Sequence, residues 1–220
     1  LDDVICHSAD FHGMMTTLKQ VLDRFRAANL KLKASKCMIF QDRVEFLGYV
    51  VDQNGIHCDP KKIETIKNWT TPKSVTEVRA FVGFCQYYRN FVTNFSKIAA
   101  PLHDLTKKGV KYVWSAACEE AFQNLKQKLI EPPVLAFPNE HDTFILDCDA
   151  SLEAAGGSLS QVQNGIERVI AYGSKKFSNT QRNMCTTMRE LCSIIMFLSE
   201  YHYYLCAKPF IIRTDHASLT

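Results

Sequence analysis

Apolar positions recur with helical spacing near the start of the chain and alternate with polar positions soon afterwards. Residues 11–32 predict an amphipathic helix, in which Leu18, Val21, Leu22 and Phe25 share one face. Residues 44–51 have the composition of a strand, and the Asp-Gln-Asn-Gly sequence at 52–55 is a turn signal. A return strand can start at Ile56, so residues 44–58 are predicted to form a hairpin.

The middle of the chain carries only helical signals. Asp59 and Pro60 predict a helix start, as N-cap and first helical residue, and Ser74 with Glu77 fits the capping box that opens a second helix. Residues 98–105 predict a short helix that begins near Pro101, and residues 115–130 predict a longer one. No strand signal is found between residues 59 and 110, so this block is expected to be helical.

The pattern changes after the Pro-Pro pair at 132–133. Strand signals follow at 143–148, 158–162 and 168–172, with Gly156-Gly157 before the second strand and the hairpin turn Asn164-Gly165 before the third. A long helix is predicted at 187–205 and a fourth strand at 210–214. The order β-β-β-α-β predicts a mixed sheet with a helical crossover before its last strand.

Composition excludes several classes of protein. With 46% hydrophobic and 22% charged residues, the chain can bury a hydrophobic core, and its composition argues against intrinsic disorder. No apolar run approaches the roughly 20 residues that a membrane span needs. The nine cysteines never form a CxxC pair, which argues against a zinc site and favours free thiols in a reducing compartment.

The net charge of +3 conceals an uneven distribution. Residues 58–111 carry ten Lys and Arg against four Asp and Glu, whereas residues 132–220 carry seven against nine. A basic block followed by an acidic one suits a phosphate-binding part joined to a metal-binding part. A solvated surface with unevenly placed lysines explains the same counts, so charge alone leaves both interpretations open.

Three carboxylates in the last third are candidates for a metal site. Asp149 follows the first predicted strand of this region, Asp215 follows the fourth, and Glu190 lies early in the crossover helix. If those two strands are parallel neighbours, all three side chains converge at one sheet edge, where hard oxygen ligands favour Mg²⁺ or Mn²⁺ over zinc. The alternative is structural, since Asp is common at strand ends and Glu suits the start of a helix.

Several motifs of the last third resemble one known family in order and spacing. They are the segments at 144–151, 157–161, 170–176, 189–191 and 213–216. Together they resemble the RNase H domain of gypsy-class LTR-retrotransposon Pol polyproteins. The resemblance implies that Asp149, Glu190 and Asp215 are catalytic, metal-binding carboxylates, and that a fourth lies beyond Thr220.

The first part resembles the reverse transcriptase of the same polyproteins, through the segments at 1–5, 30–37, 44–51, 81–89 and 95–102. Leu1-Asp2-Asp3 looks like a Tyr-x-Asp-Asp motif without its Tyr, so we expect a fragment cut within the palm. The resemblance implies a palm end with primer-grip hairpin at 1–58, a helical thumb and connecting helix at 59–131, and a C-terminally incomplete RNase H-like domain at 132–220. The fold class is then α+β and α/β.

The resemblance assigns roles to residues of the first part as well. Asp2 and Asp3 would hold catalytic Mg²⁺ at a polymerase site, and Phe46, Leu47, Gly48 and Tyr49 would form the primer grip. An ordinary buried hairpin explains the latter equally well without the family. Tyr87, Tyr88 and Arg89 are either nucleic-acid contacts or, like most aromatics at helical spacing, part of the core.

The implied function is RNA-directed DNA synthesis and two-metal hydrolysis of RNA in RNA/DNA hybrids. Implied partners are the hybrid, template-primer, dNTPs and the rest of Pol, with no membrane; the oligomeric state stays open. An intracellular location is expected, in cytoplasmic virus-like particles or the nucleus, without secretion. We expect the isolated chain to be weakly active or inactive. The alternative is a decayed or domesticated retroelement segment that acts at most as a non-catalytic nucleic-acid binder.

Overall fold

A computed structural model describes residues 3–206 and 208–219, and the chain divides into two compact units, one up to Gln53 and one from Asn54 onward. The domain boundaries expected at 58/59 and 131/132 stay predictions. None of the helices in the described ranges is long and apolar enough to cross a membrane.

The first unit consists of one helix and a tight hairpin. Helix α1 (Phe11–Ala27) starts at Asp10, whose side chain accepts a hydrogen bond from the Gly13 amide. The helix ends five residues earlier than the sequence pattern predicts, because Asn29 adopts a left-handed backbone with φ of 54°. The Leu30 amide then bonds back to the Phe25 carbonyl and closes the helix end.

The single strand predicted over 44–51 is wrong. The structure has two antiparallel strands, β1 (Arg43–Phe46) and β2 (Tyr49–Asp52), in which Phe46 pairs with Tyr49. Leu47 and Gly48 between them have φ of 47° and 71°. Two consecutive positive φ values define a two-residue hairpin turn, and the glycine at the second position adopts one without strain.

The second unit begins with β3 (Gly55–Cys58) and a block of four helices. These are α2 (Pro60–Lys67), α3 (Val75–Tyr87), α4 (Phe95–Leu105) and α5 (Ala116–Ile130). Two of their starts follow the predicted caps, because the side chains of Asp59 and Ser74 each accept a hydrogen bond from a backbone amide of the first turn. Ser115 caps α5 in the same way. The aromatic rings of Phe81 and Phe122 meet in the core with centroids 4.6 Å apart.

Helix α4 differs from its prediction because it begins at Phe95 and contains Pro101 in its interior. Proline removes one backbone hydrogen bond and disfavours an interior position. Tertiary packing outweighs that cost here, because four side chains of the helix are buried against the rest of the block: Phe95, Ala99, Leu102 and Leu105.

The rest of the second unit is a four-stranded sheet in the order β6-β5-β4-β7. Its strands are β4 (Phe144–Ala150), β5 (Ala154–Gln163), β6 (Ile166–Lys176) and β7 (Phe210–Arg213). The first three are antiparallel, and β7 lies parallel to β4. Helix α7 (Thr186–Glu200) makes the crossover, flanked by the single turns α6 (Asn179–Arg182) and α8 (His202–Leu205). The predicted β-β-β-α-β order and mixed fold class are confirmed.

Two glycines predicted to precede a strand lie inside β5 instead. A Cβ on Gly157 would come 2.7 Å from Cδ2 of Phe197, a fully buried ring on α7. A Cβ on Gly156 would collide with Oδ1 of Asn94, just before α4. Glycine at these positions therefore allows close approach from both sides of the sheet.

Hydrogen bonds tie the helical block to the sheet. The Ser96 amide donates to the Ser174 hydroxyl over 2.9 Å, and the Ala136 amide donates to the Val169 carbonyl over 2.8 Å. On the other side of the linking segment, Ile56 and Leu135 exchange two backbone hydrogen bonds of 2.8 and 3.1 Å. The two residues after the Pro-Pro segment and Val134 therefore pair with different elements: Leu135 with Ile56 of β3, and Ala136 with Val169 of β6.

Candidate metal centre

Three carboxylates of the second unit converge at one end of the sheet. Asp149 is the penultimate residue of β4, Glu190 lies one turn into α7, and Asp215 follows β7 by two residues. One oxygen from each lies within 4.8 Å of the other two. The convergence expected from two parallel neighbouring strands is what the structure shows, although the roles of these residues stay predictions.

Glu190 is the buried member of the cluster. Glu190 is only 5% exposed, and its carboxylate accepts a hydrogen bond from the Ala150 backbone. Its Oε2 is buried without a hydrogen-bond partner among the described residues. Burial raises the pKa of the Glu190 carboxyl above its usual value, and the nearby charges of Asp149 and Asp215 raise it further.

The donor set fits a hard divalent cation. Three carboxylates close together repel one another, and a bound cation would relieve that repulsion. Oε2 of Glu190, which has no hydrogen-bond partner among the described residues, has already lost its hydration on folding, so binding a cation requires no further desolvation of this atom. All three ligands are oxygens, which suits Mg²⁺ or Mn²⁺.

A groove of about 450 Å³ runs beside the cluster. Its walls include Asp149 and Asp215 together with residues to which the sequence assigned no individual role: Thr93, Asn94, Asp147, Ser158 and Arg213. The period-two alternation of a strand puts Asp147 on the same face as Asp149, and this signal could have found it. Thr93 and Asn94 come from the helical block, and no sequence signal places them here.

The residues assigned to the polymerase lie in the first unit or outside the described range. Asp2 lies outside the described residues. Asp3 is exposed and precedes α1. The predicted primer grip occupies the turn between β1 and β2, with the Leu47 side chain 47% exposed.

The aromatic residues at the end of α3 have different environments. Tyr88 is 3% exposed and packs against Phe91 and Phe84, which fits the core interpretation. Tyr87 is 49% exposed. His216, beside Asp215, has its ring Nε2 2.9 Å from the Thr187 hydroxyl, so it ties the end of β7 to α7.

Comparison with known proteins identifies the class of the sheet region. Residues 114–212 match the family described as "RNase H-like domain found in reverse transcriptase". This part of the chain is therefore an RNase H-like domain.

Curated relatives extend the match over the whole chain. The Pol polyprotein of Drosophila melanogaster transposon 412 is 36% identical over 220 residues, and the Tf2-3 polyprotein of Schizosaccharomyces pombe is 33% identical over 222. The homologues of this chain are retrotransposon Pol polyproteins, as its motifs predicted. The chain spans about a fifth of their length, 18% and 17% respectively.

Solved structures share the fold at lower identity. A foamy viral protease-reverse transcriptase in complex with RNA/DNA hybrid matches 97% of this chain, with a TM-score of 0.79 and 22% identity. The same viral enzyme in complex with dsDNA matches 94%, with a TM-score of 0.77. The chain covers 30% and 44% of those two chains.

Proposed function

We propose that this chain carries the ribonuclease H site of a gypsy-class Pol polyprotein and that the site hydrolyses RNA in RNA/DNA hybrids. The observation that carries the proposal is the cluster of Asp149, Glu190 and Asp215, whose oxygens lie within 4.8 Å of one another. The match of residues 114–212 to the RNase H-like family supports it, as does the shared fold of a foamy viral protease-reverse transcriptase solved in complex with RNA/DNA hybrid.

Each carboxylate would contribute differently. Asp149 and Asp215 are exposed and present their oxygens to the groove, where a phosphodiester can reach them. Glu190 is buried and held by the Ala150 amide, so its position changes little when a ligand arrives. Divalent ions bound there would activate a water and stabilise the leaving oxygen of the cleaved strand.

The helical block is the proposed grip for the duplex. Its ten basic residues between positions 58 and 111 exceed its acidic residues by six. Such an excess favours contacts to backbone phosphates, which position a duplex without reading its sequence.

The polymerase function is proposed for the whole polyprotein. Asp2 and Asp3 would contribute to a Mg²⁺ site for template-primer and dNTPs, and Phe46 to Tyr49 would contact the primer. Relatives that match the full chain support this assignment. The nine free cysteines support an intracellular location.

Cleavage of a labelled RNA/DNA hybrid tests the ribonuclease assignment. The Pol polyprotein that carries this chain should cleave the RNA strand in Mg²⁺ or Mn²⁺, and Asp149→Asn should abolish cleavage. The matched control is Asp42→Asn, which removes an exposed carboxylate of the first unit and should leave the rate unchanged. Cleavage at the parental rate in Asp149→Asn would show that the site is elsewhere. Hybrid binding without cleavage by the parent would favour a non-catalytic binder.

A further inference from the structure

An ionic cluster lies across the sheet beside the carboxylate site. Arg213, the last residue of β7, donates from Nε and Nη2 to the two oxygens of Asp147 on β4, over 2.6 and 2.7 Å. It also donates from Nη1 and Nη2 to Glu167 on β6, over 3.0 and 2.6 Å. We call these three residues the Arg213 clamp.

The clamp spans the whole width of the sheet. Its residues belong to β7, β4 and β6, so the ion pair of Arg213 with Glu167 bridges β5. The β5 residues beneath it are serines, and they join the network: Ser160 donates to Glu167 over 2.8 Å and Ser158 to Asp147 over 3.4 Å. Small hydroxyl side chains leave room for the guanidinium and donate further hydrogen bonds to the two carboxylates.

The clamp joins β4 and β7 at their last paired residues before the metal centre. Strand β7 is a four-residue edge strand whose Ile211 and Ile212 are exposed, so packing alone fixes it weakly. Arg213 is its final paired residue, opposite Asp147. Asp215 and Asp149 each follow these paired residues by two positions, so the clamp sets where the two carboxylates meet.

The clamp also governs which carboxylates are open to a cation. Asp147 lines the same groove as Asp149 and Asp215 and lies on the same face of β4. Both its oxygens are occupied by the guanidinium. Without Arg213, Asp147 would offer a competing anionic ligand two residues from Asp149.

We propose that Arg213 is a positioning residue of the metal centre, which fixes Asp215 beside Asp149 and withholds Asp147 from the cation. This inference rests on the proposed function, because it assumes that the three carboxylates bind a divalent ion. A lysine cannot replace the arginine, because one ammonium group lacks the planar fork that satisfies both oxygens of Asp147 and reaches Glu167 as well.

Mn²⁺ binding to the purified 220-residue chain, measured by titration calorimetry, tests the proposal. Arg213→Lys should weaken binding by about 10-fold, the loss typical when a residue that orients metal ligands is changed. Arg213→Met should weaken it at least as much and add a second, weaker site through the freed Asp147. Combining Arg213→Met with Asp147→Asn should remove that added site without restoring affinity. The control Arg182→Lys changes an ion pair with Glu153 away from the groove and should bind like the parent.

The outcomes separate the inference from the function on which it rests. If the parent does not bind Mn²⁺, or Asp149→Asn binds equally well, the metal centre itself is refuted. If the parent binds and folded Arg213→Lys binds with the same affinity, Arg213 has no positioning role. A lower urea midpoint with unchanged Mn²⁺ affinity would likewise reduce Arg213 to a structural residue and overturn the proposal.

Discussion

Replacing Glu190 by Gln should make the protein more stable, although it removes a proposed ligand. The three ligand oxygens lie within 4.8 Å of one another. Unit charges at that distance repel by about 3.5 kcal/mol at an effective dielectric of about 20, and by about 1 kcal/mol in water. Because Asp149 and Asp215 are exposed, the repulsion between Glu190 and each aspartate lies between these limits. We therefore expect Glu190→Gln to raise the free energy of unfolding by about 1–3 kcal/mol at pH 7 without metal.

The glutamine keeps the favourable contact of the site. Its amide oxygen can still accept from the Ala150 backbone, and its NH₂ group can donate toward the aspartates from the position of Oε2, which has no partner among the described residues. The gain should depend on pH. The pKa of Glu190 is higher in the folded state than its ordinary value of 4.5. The parent protein is therefore most stable with respect to this group below pH 4.5, and it loses that stability as pH rises through the folded-state pKa. The advantage of Gln should therefore vanish near pH 4.

Urea unfolding in EDTA at pH 7 and pH 4 measures this effect. Glu120→Gln, on the exposed side of α5, is the matched control and should change little. In saturating Mn²⁺ the parent should gain stability by mass action, and Glu190→Gln should gain much less. A loss of stability in Glu190→Gln at pH 7 in EDTA would refute the reasoning, because it would show that Glu190 is stabilised by its surroundings.

Two further predictions concern packing and nucleic-acid binding. Gly157→Ala should lower stability by about 1–3 kcal/mol, because its Cβ would meet the buried ring of Phe197 at 2.7 Å. Gly83→Ala has open space around it on α3 and should raise stability by up to about 1 kcal/mol, so equal effects of the two substitutions in urea unfolding would contradict this packing. The affinity of the chain for an RNA/DNA hybrid, measured by fluorescence anisotropy, should fall at least about 10-fold between 50 and 200 mM salt. An affinity independent of salt would exclude phosphate contacts by residues 58–111.

The sequence predicted correctly those elements that depend on interactions between residues close together in the chain. The caps at Asp59 and Ser74 accept hydrogen bonds from amides within the next three residues, and the sequence predicted both. The turn at Asn164-Gly165 has φ of 54° and 78°, as such a pair predicts. The convergence of Asp149, Glu190 and Asp215 also followed, because the strand order and the crossover fix which strand ends meet.

The features that sequence analysis missed depend on distant partners. Gly156 and Gly157 sit inside β5 because Asn94 and Phe197 approach the sheet there, and neither neighbour is local in sequence. The Arg213 clamp joins residues separated by 46 and 66 positions. Reading Leu47-Gly48 as strand interior failed for another reason, since a turn with leucine at its first central position carries a weak sequence signal.

The hydrogen bond from the Ser96 amide to Ser174 bears on the distance between the part of a duplex that the helices hold and the bond that is cleaved. It holds the start of α4 against β6, within the same compact unit as the carboxylates. If the helices grip the duplex as proposed, the distance from grip to scissile bond is fixed by the protein rather than by a flexible linker. Cleavage should then occur at a constant distance from the held end of the duplex, so moving that end by a given number of base pairs should move the cleavage site by the same number.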